Sequence, residues 1–430
     1  VWNRLWHAFD GLARDTLWTG VHDVMGTVAA VVSFLLLQYT YAEDTAVYGA
    51  FVGLYGVVAP LGSLTFAGPG LALIQQRIRF NEDLNEIFRS YVSVALILGV
   101  ATSGLAVYLG WLFIDLSMVE IILLVVSELF FNSMIFVCSM LMQAAVDYPA
   151  MIKVRMAVSV LKTAAVIGLY VAGVFTIRNL AIAYVTLYGA YSLWLIFRLL
   201  PAVGYTVRFG RPSRQASRSS AVFAVPLAAS SLQLDGDKVA LNAYNFDAQA
   251  GLYGAAYRVV QLGSLPLRVI GQAAFHRFLA DDADRDNYQL RRSAALTGFM
   301  LAVGIVTAGA IYLMLPLVED YFLAGRYREA TEIVPWLLLF LPLIALSGTP
   351  MNGLLGLGRA TERAVVFTSA AVVAVVLYVT LIPGRGWQGA VMATLGSEAY
   401  LAVASWIVMV YYQRQADRLR SSRVREVMAG

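Results

Sequence analysis

Apolar runs of about 20–26 residues recur along the whole chain and constrain it more than any other feature. Each is long enough to cross the hydrocarbon of a bilayer with some tilt. Twelve are expected, at approximately 16–41, 46–74, 88–113, 118–143, 151–174, 178–201, 218–241, 249–275, 292–316, 331–355, 361–382 and 388–412. A backbone in lipid must satisfy its own hydrogen bonds, so runs of this length read as helices. Composition agrees: 60% of the 430 residues are hydrophobic and 13% charged, with a mean hydropathy of +0.70. The expected fold class is an all-α polytopic membrane protein. Pro69, Pro226, Pro266 and Pro342 fall inside spans and predict local kinks.

Several kinds of chemistry have no residues to support them. The single cysteine, Cys138, lies in an apolar run, which removes a disulfide framework and a cysteine metal site. His7, His22 and His276 are dispersed and make no ligand pattern. There is no P-loop, and no GxGxxG at a strand–helix junction. The longest outer loop, about 316–331, carries one acidic and one basic cluster. No enzymatic constellation, metal site or cofactor is expected.

Charge sets the topology. Residues 1–15 place Trp2, Leu5, Trp6, Phe9 and Leu12 on one face and charges on the other, as an amphipathic interfacial helix or a simple entry to the first span, with no leader-peptide pattern. Arg4 and Arg14, Arg77 to Arg89, Lys153 and Arg155, Arg198 to Arg218, Arg277 to Arg292, Arg359 and Arg363, and Arg414 to Arg425 all fall on one side of the twelve-span alternation. Arg178, Arg326, Arg328 and Arg385 fall on the other. The positive-inside rule then makes both termini and the basic 202–217 linker cytoplasmic. That linker and the basic 413–430 tail read as topology determinants and anionic-lipid contacts, with no nucleic-acid site.

A weak internal repeat divides the chain. Tyr39 and Tyr48-Gly49-Ala50 recur as Tyr244 and Tyr253-Gly254-Ala255, and Ala-Tyr-Val-Thr-Leu at 183–187 is echoed by Val-Met-Ala-Thr-Leu at 391–395. Two pseudo-symmetric six-helix lobes, 16–201 and 218–412, follow as parallel repeats around a central cavity, an arrangement suited to a transporter.

Polar stripes mark the interior. Arg258, Gln261, Arg268 and Gln272 are spaced three, seven and four apart, within roughly a 100° arc of one helix face. Arg155, Ser159 and Lys162 share a face of the fifth span; Glu128, Asn132, Ser139 and Gln143 of the fourth; Thr394, Glu398 and Ser405 of the twelfth; Thr19, Asp23, Thr27 and Gln38 of the first. At about 1.5 Å per residue, Glu128, Lys162, Arg258 and Glu398 lie near mid-bilayer. A charge facing lipid there costs at least about 2.5–3.5 kcal/mol, so these groups must face protein or a wet cavity. Duller roles are open to each. Glu128 or Glu398 could neutralise Lys162 or Arg258, Arg155 and Arg268 could snorkel to headgroups, and Lys238 could pair with Asp235 one turn away. Asp237 has no obvious local partner and could bind an ion or cap the outer turn. Arg and Lys in a membrane cavity suit phosphate.

Pro226 to Leu241 with Asp237-Lys238, followed by Gly251-Leu-Tyr-Gly-Ala-Ala-Tyr-Arg258, resembles the opening of the second half of O-antigen-type polysaccharide and oligosaccharide flippases. These belong to the multidrug/oligosaccharidyl-lipid/polysaccharide exporter superfamily. Glu43-Asp44-Thr-Ala-Val-Tyr48-Gly49 is similar to that family's loop after the first span. Gly356-Leu-Gly358-Arg359, Leu381-Ile-Pro383, Gly386 and Gly389-Ala390 are similar to its closing hairpin. The resemblance covers essentially the whole chain, and its weight lies in the order and spacing of short motifs.

The resemblance implies a non-enzymatic, multi-pass carrier of the cytoplasmic (inner) membrane, acting in polysaccharide biosynthesis such as that of O-antigen or exopolysaccharide. Its substrate would be a polyprenyl-pyrophosphate-linked glycan, moved from the inner to the outer leaflet by alternating access. Membrane lipids and polysaccharide assembly enzymes would be its other partners. Arg258 and Lys162 would hold the pyrophosphate, with Arg268 and Arg155 at the cytoplasmic entrance and Gln261, Gln272 and Lys238 as further substrate contacts. Asp23, Glu128, Asp237 and Glu398 would couple transport to a proton or sodium gradient, without a cofactor. The rival readings are a lipid II flippase, a multidrug/cation antiporter of the same superfamily and, from a different class, a membrane glycan polymerase or ligase.

Overall fold

Helix starts follow capping side chains placed ahead of the apolar runs. The computed structural model describes residues 44–80, 83–271, 288–318 and 328–429, with a few positions between 32 and 41. In it Asp44, Asp83, Ser117, Asp147, Thr176 and Ser213 each accept a first-turn backbone N–H. Ser117 and Glu120 complete a reciprocal capping box.

The first helices are α1 (Thr45–Gly62), α2 (Gly68–Phe80), α3 (Leu84–Phe113), α4 (Met118–Val125), α5 (Asn132–Ala144), α6 (Tyr148–Val171), α7 (Ile177–Trp194) and α8 (Leu200–Ala202). Three π-helical segments, Ser63–Ala67, Val126–Phe131 and Leu195–Leu199, join α1 to α2, α4 to α5 and α7 to α8. Then come α9 (Arg214–Ala243), α10 (Asp247–Gly263), α11 (Tyr288–Val318), α12 (Arg328–Leu337), α13 (Phe340–Gly356), α14 (Ala360–Arg385) and α15 (Trp387–Ala429). Among the described residues there is no strand.

These helices overlap every span expected after the first, with the interruptions described below; the last runs well past the expected end at 412, and 272–275 of the eighth lie outside the described residues. The first span falls mostly outside the described residues, and the 1–15 helix entirely so. Nine helical stretches among the described residues are long and apolar enough to cross a membrane. Two of the expected twelve, α9 and α10, are not among them. The C-terminal half of α9 carries Gln233, Asp235, Asp237, Lys238 and Asn242, and α10 ends after 17 residues. α15 is 43 residues long and continues from the expected last span through 413–429.

Proline accounts for most of the interruptions. Lacking an N–H, it leaves the preceding turn one hydrogen bond short. Before Pro266 the helix breaks at Ser264, whose N–H is shared between the carbonyls of Val260 and Gln261, and helix resumes over 265–271. Before Pro342 a turn at 338–339 separates α12 from α13. Before Pro69 lies the π-helical Ser63–Ala67. At Pro226 the helix is not interrupted, and α9 runs through it from Arg214 to Ala243.

The chain forms two compact units, residues 1–251 and 252–430. In the first, α9 packs along α1, α2 and α3, while α5 packs on α2 and α6, and α7 on α4 and α6. The α1–α9 crossing is close because Gly53 and Gly56, three apart, leave that face of α1 bare, as Gly49 does against the start of α10. A Cβ on Gly56 would sit 2.6 Å from the Asp235 carbonyl oxygen, and one on Gly53 would strike the Asn242 side chain. Asn242 uses that proximity, donating to the Gly49 carbonyl at 3.2 Å. In the second unit α13 packs on α11 and α15, and α14 on α15, around Met351, Leu354, Val366, Ala370, Leu401 and Met409. Large apolar side chains also point outward: Val306 and Leu313 of α11 are 71% and 76% exposed. Such an apolar exterior suits lipid as the surrounding solvent.

Five connections share one chain reversal. After α5, α6, α8, α9 and α13 a left-handed residue follows: Val146, Gly173, Gly204, Asn245 and Gly358. Each closes with paired backbone hydrogen bonds, such as Asp147 N–H to Met142 O and Phe246 N–H to Leu241 O. Glycine and asparagine accept this conformation readily, whereas Val146 is β-branched and sits at φ 63°. Val146→Gly is therefore expected to stabilise the protein by about 1 kcal/mol, read as a higher melting temperature in detergent.

Candidate functional site

A π-helical turn re-aims side chains that a regular helix would carry elsewhere, and such turns are frequent at functional sites. Glu128 lies within the π-helical Val126–Phe131, so the turn places a carboxylate in the middle of the α4–α5 span. Its Oε1 accepts from Lys162 Nζ of α6 at 2.9 Å and from the Tyr55 hydroxyl of α1 at 2.6 Å. Its Oε2 accepts from Asn132 Nδ2 at 3.0 Å. The Glu128 side chain is 8% exposed and that of Lys162 34%, so the ammonium is the accessible half of the pair. Lys162 also lies 4.9 Å from the Tyr55 ring centre and 5.4 Å from that of Tyr184. Tyr184 stacks on Tyr188, and both buried hydroxyls have no hydrogen-bond partner among the described residues.

Arg155, two turns before Lys162 on α6, donates from Nε to the Ser139 hydroxyl at 3.0 Å and lies over the Phe136 ring. On α9, Lys238 is buried and pairs with Asp235 and Asp237, each at 3.0 Å. The expected pairing of Lys238 with Asp235 is therefore present. The expectation that Asp237 lacks a local partner is corrected: its carboxylate accepts both the Lys238 ammonium and the Lys238 backbone N–H. Adjacent positions meet here because the side chain of Lys238 folds back along its own helix, also donating to the Leu234 carbonyl.

In the second unit Arg258 is exposed and donates from Nη1 to Gln261 Oε1 at 2.8 Å, as one helix face requires. The continuous stripe expected from 258 to 272 is interrupted, since α10 ends before Ser264 and Arg268 belongs to the resumed helix at 265–271. Arg268 is exposed as well. Among the described residues neither arginine has a carboxylate within ion-pair distance. Glu398 of α15 is 4% exposed and accepts from the Ser347 hydroxyl of α13 at 2.5 Å. Tyr253 reaches Thr394 on the same face of α15, with hydroxyls 3.1 Å apart. Gln272 and Asp23 lie outside the described residues.

Glu128 and Lys162 were both legible as intramembrane charges, and the structure brings them together. Tyr55 was missed. Its only signal is a hydroxyl in mid-span, between the glycines that let α9 approach. Ser347 gave no signal, since a lone serine in an apolar helix bonds its own backbone as readily as a neighbour.

Neither a model of a known protein family nor a curated protein sequence matches the chain. Solved structures do share its fold. An inward-facing multidrug resistance MATE family transporter of the MOP superfamily aligns over 92% of this chain and 96% of its own, at 16% identity and a TM-score of 0.68. An outward-facing structure of such a transporter aligns over 95% and 96%, at 15% identity and a TM-score of 0.62. A MOP superfamily transporter from Pyrococcus furiosus aligns over 94% and 95%, at 15% identity and a TM-score of 0.66. For that protein a reverse polarity of the binding pocket suggests a different function. At such identities the likeness establishes the fold, which is that of these transporters.

Proposed function

We propose that the protein is a flippase of the cytoplasmic membrane, moving a polyprenyl-pyrophosphate-linked oligosaccharide from the inner to the outer leaflet by alternating access. One observation carries the reading. Arg258 and Arg268 are exposed without a carboxylate partner among the described residues, whereas Glu128, Asp237 and Glu398 are each buried and hydrogen-bonded. The charge left to meet a substrate is positive, and a guanidinium offers two parallel donors to a phosphate. Lys162, the accessible half of its pair, is a further cation for an anionic group. Inward- and outward-facing structures of the shared fold support alternating access. The basic loops support a cytoplasmic position for both termini, and Glu128, Asp237 and Glu398 are proposed to couple transport to an ion gradient.

Likeness to multidrug MATE transporters favours a second reading, export of organic compounds. For cationic compounds that reading requires an acidic lining. The Pyrococcus furiosus transporter is a precedent within this fold for a change of pocket polarity.

The two readings separate in vesicles. Transbilayer movement of a lipid-pyrophosphate oligosaccharide should fall by about thirtyfold in Arg258→Ala, as expected for losing a charge-assisted contact of ~2 kcal/mol, and be partly retained in Arg258→Lys. Undiminished movement in Arg258→Ala overturns the site. Transport of a cationic dye without any of the lipid-linked glycan overturns the substrate.

A further inference from the structure

The long helix α15 carries a feature that transport does not use. Around its middle turns Trp406, Ile407, Val410, Tyr411, Arg414 and Arg418 fall on one face and, with Gln415, line an open groove of about 660 Å³. The Trp406 indole is fixed by its N–H, which donates to the Leu346 carbonyl at 2.9 Å, so one wall of the groove is rigid. Ile407 and Tyr411 are 64% and 63% exposed, and Arg414 and Arg418 are exposed one turn apart. Counting about 1.5 Å per residue from Trp387, the hydrocarbon ends close to Val410, and the two arginines fall at headgroup depth and just beyond.

An apolar floor of Trp406, Ile407 and Val410, then Tyr411, then two guanidiniums is the order of an acidic phospholipid read from acyl chain to phosphate. Aromatic rings favour the interface, and arginines favour the anionic surface of the cytoplasmic leaflet. We infer that this groove is a binding site for one acidic phospholipid of the cytoplasmic leaflet, its phosphate held by Arg414 and Arg418 and its chain lying over Ile407 and Val410. The site lies wholly on α15 within the second unit and is independent of which substrate the protein moves. The lipid anchors the point at which α15 leaves the membrane, where the helix would otherwise end its contact with hydrocarbon.

The test is native mass spectrometry of the full chain, titrated with phosphatidylglycerol against phosphatidylcholine. Wild type should bind phosphatidylglycerol at least tenfold more tightly than phosphatidylcholine. Arg414→Gln/Arg418→Gln should lose most of that preference, and Arg414→Lys/Arg418→Lys should keep part of it. Arg178→Gln/Arg385→Gln, which removes the same charge from exposed positions outside both the linker and the tail, should bind as wild type does. Equal losses in both glutamine pairs would mean diffuse attraction and overturn the site, as would an unaltered preference in Arg414→Gln/Arg418→Gln. Displacement of phosphatidylglycerol by equimolar polyprenyl pyrophosphate would overturn the assignment to a phospholipid.

Discussion

Glu128→Ala is expected to lower the free energy of unfolding by about 2–3 kcal/mol, measured by denaturant titration in detergent micelles. The carboxylate is the common acceptor of Lys162, Tyr55 and Asn132, so its removal strands three donors at once. Breaking a fully buried ion pair by deleting one partner costs about 3–5 kcal/mol. The figure is reduced here because a third of the Lys162 side chain is exposed and can recruit water. Lys162→Ala in the Glu128→Ala background should recover part of the loss, since no cation is then left without its anion. The double-mutant cycle should return a coupling of at least about 1 kcal/mol. Strict additivity would mean that the two side chains do not act as a pair.

Gly49→Val should be worse still, costing about 3 kcal/mol or preventing recovery of folded protein. A side chain at Gly49 would run into the Asp247 carbonyl and the Gly251 amide, and both are backbone. No rotamer change can relieve that clash, so α1 would have to move away from the start of α10. The Asn242 bond to the Gly49 carbonyl would go with it. Gly104→Ala in α3 is the control. Nothing lies within 4 Å of its Cβ position, so the helix should gain by about 0.5–1 kcal/mol from the lost flexibility of the unfolded chain. Monodispersity on gel filtration and the melting temperature report both variants. A Gly49→Val protein that melts like wild type would remove the close crossing from the account.

The transmembrane helices were legible because the signal is strong and local. Asp83, Ser117 and Thr176 cap apolar runs that no other fold could bury, and helix starts followed to within a few residues. The i,i+3 partnership of Asp235 with Lys238 was legible for the same reason, since both lie on one turn. The Glu128–Lys162 pair was legible only as an alternative among several. Choosing among them requires knowing how α4–α5, α6 and α1 approach each other, and helical periodicity gives a residue's face without its neighbour. The interruption at Ser264 was half legible, because Pro266 predicts a defect but not whether the helix bends or stops.

The amino-acid sequence by itself determined that this is a helical membrane protein, where its helices begin, and that charges of both signs lie at mid-span. These follow from hydrocarbon's demand for internally bonded backbone and from the free energy of an ion in lipid, and both act residue by residue. Only the tertiary structure decided which of those charges cancel. Lys162 meets Glu128 through a π-helical turn, Asp237 is taken by Lys238, and Arg258 is exposed, bonded to Gln261 and without a carboxylate partner among the described residues. Pairing depends on approach between segments far apart in the chain, and glycines such as Gly49 and Gly53 set that approach by what they lack.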